Sequence, residues 1–136
     1  MALFNWSDRY SVGVSSMDEH HRKIFDIANQ IHDAMKAGKS KELADEFVKR
    51  LIEYTEYHFA EEEKLMAEIN YDDLPLQRRA HTIFISQLKD FQEQIEQGDT
   101  ILLSVELSQT VVDWLIEHIA KMDKRYEDSM KRHGIK

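Results

Sequence analysis

Few places in this chain allow the backbone to break. Four Gly and one Pro are spread over 136 residues, and the stretches between them are dense in Glu, Lys, Leu, Ile and Ala, which favour helix over strand. The main breakers stand at Ala37-Gly38, in Asn70-Tyr71-Asp72-Asp73-Leu74-Pro75, at Gly98-Asp99 and at Gly134. They divide the chain into four long segments behind a short N-terminal one. Short connections force neighbouring helices to alternate in direction. The expectation is an all-α protein: an up-down-up-down antiparallel four-helix bundle forming a single domain over 1–136. An arm would occupy 1–15, with helices at about 16–37, 40–69, 73–97 and 102–133.

Local signals support these bounds. Ser16-Met17-Asp18-Glu19 reads as a Ser-x-x-Glu capping box, and Gly38 suits a left-handed helix end. Ser40 is a candidate cap for the second helix, Pro75 is tolerated in the first turn of the third, and the fourth begins between Thr100 and Ser104. Apolar residues recur at helical steps. The first inward stripe is His21, Ile24, Phe25, Ala28, Ile31 and Met35; the second is Leu43, Phe47, Leu51, Tyr54, His58, Glu62 and Leu65. The third is Gln77, His81, Phe84, Leu88, Phe91 and Ile95, and the fourth is Leu107, Val111, Trp114, Leu115, His118 and Met122. Phe4, Trp6, Tyr10 and Val12 suggest an arm that packs across the bundle.

The charge balance narrows the function classes. Eighteen Lys and Arg against 26 Asp and Glu give a net charge of -8, a sign that repels phosphate backbones and anionic lipid. Nucleic-acid and membrane partners are therefore not expected, and no apolar run approaches the roughly 20 residues of a membrane helix. The N-terminus lacks the basic and apolar regions of a secretory signal, which points to the cytoplasm. The absence of Cys excludes disulfides, thiolate metal sites and a thiol nucleophile. Any metal must be held by imidazole and carboxylate.

The stripes carry such groups. Unpaired charge in a buried stripe costs several kcal/mol, yet each stripe is interrupted: by His21, by His58 and Glu62, by His81 and by His118. Four antiparallel helices would gather these side chains in one layer. His58-x-x-x-Glu62 advances about 400°, so both donors lie on one face. Histidines with carboxylates and no thiolate suit a dinuclear iron or manganese site better than structural zinc. Asp123, five residues after His118, would sit about 140° away on an ideal helix. Either the helix is distorted there or Asp123 reaches in from the flank. Phe25, Phe59 and Trp114 would enclose the site in an apolar pocket for small ligands. The remaining histidines read as bystanders: His20 facing solvent, His32 at the edge of the first stripe, and His133 at a helix end, where imidazolium complements the dipole.

Four motifs, in order along nearly the whole chain, resemble those of bacterial hemerythrins. They are Trp6 with Asp18-x-x-His21, His58-Phe59-Ala60-Glu61-Glu62, Pro75-x5-His81-x-x-Phe84, and Trp114-Leu115-x-x-His118-Ile119-x3-Asp123. The resemblance implies a non-haem di-iron centre that binds O2 reversibly, for storage, delivery or sensing. His21 and His58 would bind the iron with the open position and His81 and His118 the other. Glu62, Asp123 and an oxo or hydroxo group would bridge them. Leu115 matches the apolar residue over the oxygen pocket. One position departs: where the family has His-x-x-x-His in the third helix, this chain has Gln77-x-x-x-His81. Gln77 would ligate through oxygen, or leave its position to water, or leave that iron five-coordinate. The departure gives weight to an alternative, a di-iron enzyme consuming peroxide or NO. A metal-responsive interaction module, with manganese or zinc, is the third reading. Azide-like anions are further candidate ligands.

Overall fold

The computed structural model describes residues 6–36, 41–97 and 101–136, with side chains at all of these except 34–36, 41–44, 95 and 101–108. A 3-10 turn, Asp8–Tyr10, precedes four long helices: α1 Ser15–Lys36, α2 Lys41–Glu68, α3 Leu74–Glu96 and α4 Ile101–Lys121. A second 3-10 turn, Asp123–Tyr126, leads into the short α5, Glu127–Arg132. Helix α1 packs on α2 and α4, and α3 packs on α2 and α4, closing the up-down-up-down bundle. The expected caps at Gly38 and Ser40, the end at Gly98-Asp99, and the inward placement of Phe4, Met35, Leu43, Ile95 and Leu107 lie outside the described residues.

Two helix ends show why the chain turns where it does. Asn70 takes φ 52°; its N–H donates to Ala67 O at 3.2 Å and that of Tyr71 to Met66 O at 2.9 Å. This paired closure satisfies the last carbonyls of α2, with Asn in the left-handed position usually held by Gly. Gly134, at φ 76°, closes α5 the same way, with Ile135 N bonded to Met130 O at 2.9 Å.

The start of α1 differs from the expected capping box. The helix begins at Ser15, so Ser16 lies inside its first turn. Asp18 instead reaches back to the arm, accepting from Val12 N at 2.8 Å and Ser11 Oγ at 2.6 Å. The arm is part of the core: Tyr10, Val12 and Val14 are buried, and the rings of Trp6 and Tyr10 lie 6.3 and 6.4 Å from that of Phe25.

The described residues of the first stripe face inward as expected, as do those of the third except Phe91, which is half-buried, but the stripe of α2 is shifted. Val48, Ile52, Thr55 and Met66 are buried beside Leu51, His58 and Glu62, whereas Phe47, Tyr54 and Leu65 are only half-buried. A helix wedged between two neighbours buries a face wider than one row of side chains. The fourth helix is also not continuous to Arg132 or beyond. It ends at Lys121, where Met122 N donates to His118 O at 2.8 Å, and the next bond, Arg125 N to Met122 O at 3.2 Å, is of the tighter 3-10 kind. Among the described residues no helix is long and apolar enough to cross a membrane.

Candidate metal centre

The bundle brings seven polar side chains into its interior at one level. His21 comes from α1, His58 and Glu62 from α2, Gln77 and His81 from α3, His118 from α4 and Asp123 from the turn after it; all are buried. The distortion at Met122 delivers Asp123. A continuous helix would aim it about 140° from His118, whereas the tightened turn leaves Asp123 Oδ1 3.2 Å from His118 Nε2.

The two carboxylates divide the histidines into two corners. Glu62 Oε2 lies 3.6 Å from both His21 Nε2 and His58 Nε2, and Glu62 Oε1 lies 3.1 Å from His81 Nε2. Asp123 repeats the pattern: Oδ2 is 3.3 Å from His21 Nε2, and Oδ1 is on the His118 side. Each carboxylate thus offers one oxygen to each corner, the geometry of a bridge between two ions. Donor atoms of Glu62, His81, His118 and Asp123 lie within 4.8 Å of one another, as do those of His21, His58 and Glu62.

These groups approach closely without satisfying one another. His21 Nε2, His81 Nε2, His118 Nε2, Glu62 Oε1, Asp123 Oδ2 and Gln77 Oε1 are buried without an aligned hydrogen bond. Distances near 3 Å without alignment are what donors sharing a third partner would show, and leaving so many buried polar atoms unpaired is otherwise costly. The donor set therefore fits cations bound by nitrogen and oxygen.

Charge is strongly redistributed in the cluster. Burial opposes protonation of His21, but the Asp123 and Glu62 carboxylates facing its Nε2 prevail and raise its pKa to about 9. Burial, reinforced by His21, pushes His58 down to about 3 despite Glu62. Burial works to raise Glu62, yet His58, His21 and His81 hold it well below the usual carboxylate range. For Asp123, His118 and His21 overcome burial and the nearby Glu62, again downward.

Three residues outside the expected ligand set support it. Tyr126 Oη donates to Glu62 Oε2 at 2.8 Å. Glu63 Oε2 lies 2.9 Å from His81 Nδ1. His20, expected to face solvent, is instead half-buried with its Nδ1 2.9 Å from His58 Nδ1, because the side of α1 about 100° from His21 is covered by α2. Each fixes the far side of a central group, as outer partners of metal ligands do. His32 is half-buried, and His133 is exposed, with its Nδ1 bonded to Ser129 O at 2.8 Å.

Aromatic rings wall the second corner. Phe59 stacks on His81 at 3.9 Å, and Trp114 stacks on His118 at 4.4 Å and on Phe84 at 4.0 Å. Leu115 is buried one turn before His118, while Phe25 turns its ring toward Trp6 and Tyr10 of the arm. Surface grooves of about 270 Å³ reach His81 between α2 and α3 and His118 between α3 and α4.

Comparison with known proteins gives a consistent result. Residues 12–128 match the family described as the hemerythrin HHE cation binding domain. A bacteriohemerythrin of Stenotrophomonas maltophilia is 32% identical over 133 residues, covering 98% of this chain and 85% of that protein. One from Clostridium acetobutylicum is 34% identical over 130 residues, covering 93% and 100%. A crystal structure of wild-type hemerythrin superposes with a TM-score of 0.87 at 28% identity, covering 95% of this chain and 98% of that one.

Proposed function

The chain belongs to the hemerythrin family, and from that premise we propose that it holds two iron ions and binds O2 reversibly, for storage, delivery or sensing. The observation that carries this reading is the division of Glu62 and Asp123, each with one oxygen toward each histidine pair. In this reading His21 and His58 would hold one ion and His81 and His118 the other, with Glu62 and Asp123 placed to serve both. A reduced iron pair in this position supplies the two electrons that O2 takes up on binding.

The remaining residues keep that exchange reversible. Tyr126 donates a hydrogen bond to Glu62, and burial with the Glu62 charge holds its own pKa well above the usual phenol value, so it orients the carboxylate without giving up its proton. His20 and Glu63 orient His58 and His81 from their outer nitrogens. Leu115, buried one turn before His118, and Phe59 and Trp114, stacked on His81 and His118, would give the pair an apolar lining that offers few proton donors.

Metal analysis after purification without added metal, followed by mixing the anaerobically reduced protein with O2, tests this reading. Two irons per chain and a new visible absorption band that disappears under vacuum are expected. Absence of the band rejects O2 binding. Catalytic loss of added peroxide or NO in place of a stable adduct would favour the enzyme reading, to which the weak donor at Gln77 lends its support.

A further inference from the structure

Gln77 lies one turn before His81 on the inward face of α3 and is 1% exposed. Its Nε2 donates to Asp123 Oδ1 at 3.0 Å, the same oxygen that lies 3.2 Å from His118 Nε2. This contact fixes the amide's orientation, since the reverse would set two acceptor oxygens against each other. It also leaves Oε1, on the same amide carbon, buried and without a hydrogen-bond partner among the described residues, as are His81 Nε2 and His118 Nε2. A buried amide carbonyl left unpaired is destabilising, and a cation at the second corner would remove that penalty.

Building on the di-iron reading, we infer that Gln77 is a metal ligand in its own right: Oε1 completes the coordination of the His81 and His118 ion while Nε2 holds Asp123 in its bridging position. The amide thereby combines ligation with a hydrogen bond to the neighbouring ligand. Its oxygen is neutral and harder than imidazole. The two corners consequently differ in donor set: the second is closed by a weakly bound oxygen, and the His21 and His58 corner retains the open position.

Azide stoichiometry on the iron-loaded full chain tests the assignment, with binding followed by its visible charge-transfer band and iron content measured in the same samples. The wild-type protein is expected to take one azide per iron pair. Gln77→Ala should keep two irons, take a second azide, and bind the second iron at least about tenfold more weakly in chelator competition. Gln77→Glu separates ligation from positioning. It keeps an oxygen donor but loses the N–H to Asp123, and should still take one azide. Two azides on the wild-type protein, or one on the Ala variant, overturn the ligand assignment while leaving the iron pair intact. Two azides on the Glu variant reduce Gln77 to a positioning residue. A chain that carries fewer than two irons overturns both this assignment and the reading beneath it.

Discussion

Glu62 has no exposed surface, and its Oε2 accepts from Tyr126 at 2.8 Å while facing His21 and His58. Replacing Tyr126 with Phe removes that donor from a buried carboxylate, so metal-free Tyr126→Phe is expected to lose about 1–3 kcal/mol in urea denaturation. Metal affinity should also fall by roughly 10–100-fold, as for other outer partners of ligands. A second prediction concerns protons. In the metal-free protein His21 has its pKa raised to about 9 from 6.5, so its stabilising contribution is complete below about 6.5 and disappears as pH rises through 9. His58, lowered to about 3 from 6.5, acts oppositely: the unfolded chain takes up its proton first, and stability falls as pH drops from 6.5 toward 3. Metal ligation needs His21 neutral, so metal uptake at pH 7.5 should release at least about one proton, read by calorimetry in buffers of different ionisation enthalpy. A heat independent of buffer would contradict the role given to His21. The inward histidines and Glu62 were legible from the sequence because each interrupts an apolar row. Tyr126 and His20 were not, because one is aimed by a 3-10 turn and the other by a neighbouring helix, and neither has a periodic signature.

At the scale of helices, legibility followed regularity. Helices α1 and α3 bury Ile24, Ala28, Ile31, Phe84 and Leu88 as steps of three and four require, and α1 adds Met17 and Ile27 beside its row. In α2 the buried face is wider than the expected row and takes in Val48, Ile52 and Met66. The sequence required either a distortion near Asp123 or a reach from the flank, and the break at Met122 realises the distortion. What the sequence lacked was any breaker there: Lys121-Met122-Asp123-Lys124-Arg125 contains neither Gly nor Pro, so the turn is set by packing rather than by local preference. The end of α2 is the opposite case, set by one residue. Asn70 at φ 52° tolerates the left-handed region, whereas a β-branched residue there costs about 1–2 kcal/mol. Asn70→Val is therefore expected to lower unfolding free energy by that amount, and Asn70→Gly to leave it unchanged or slightly raised. Both variants should retain their metal content, because Asn70 contacts none of the central side chains through any hydrogen bond in the cluster. Equal stability for Val and Gly would contradict the capping role.

Across the whole molecule, the acidic balance of -8 and the lack of Cys narrowed the chemistry, and the bundle then concentrated what remained into one buried layer. That layer makes the fold depend on its cargo. His21, His58, Glu62, His81, His118 and Asp123 are each at most 5% exposed, and several of their polar atoms lack aligned hydrogen bonds. The metal-free bundle therefore carries desolvation that its own contacts do not offset. Because the donors come from α1, α2, α3, α4 and the turn after α4, two bound ions would tie every long helix to the others, and the unfolded chain, which scatters these donors, would bind them far more weakly. A ligand held by the folded state at about 1,000 times its dissociation constant adds about 4 kcal/mol, and each kcal/mol moves the midpoint of a domain of this size by several degrees. Removing metal by chelation should consequently lower the thermal midpoint by about 10 °C or more, with re-addition of iron restoring it. The gain should shrink in His58→Ala and His118→Ala alike, since each opens one corner while Glu62 and Asp123 still connect both. A midpoint indifferent to chelation would mean that the buried cluster is satisfied without an ion, and that the division of its carboxylates serves packing alone.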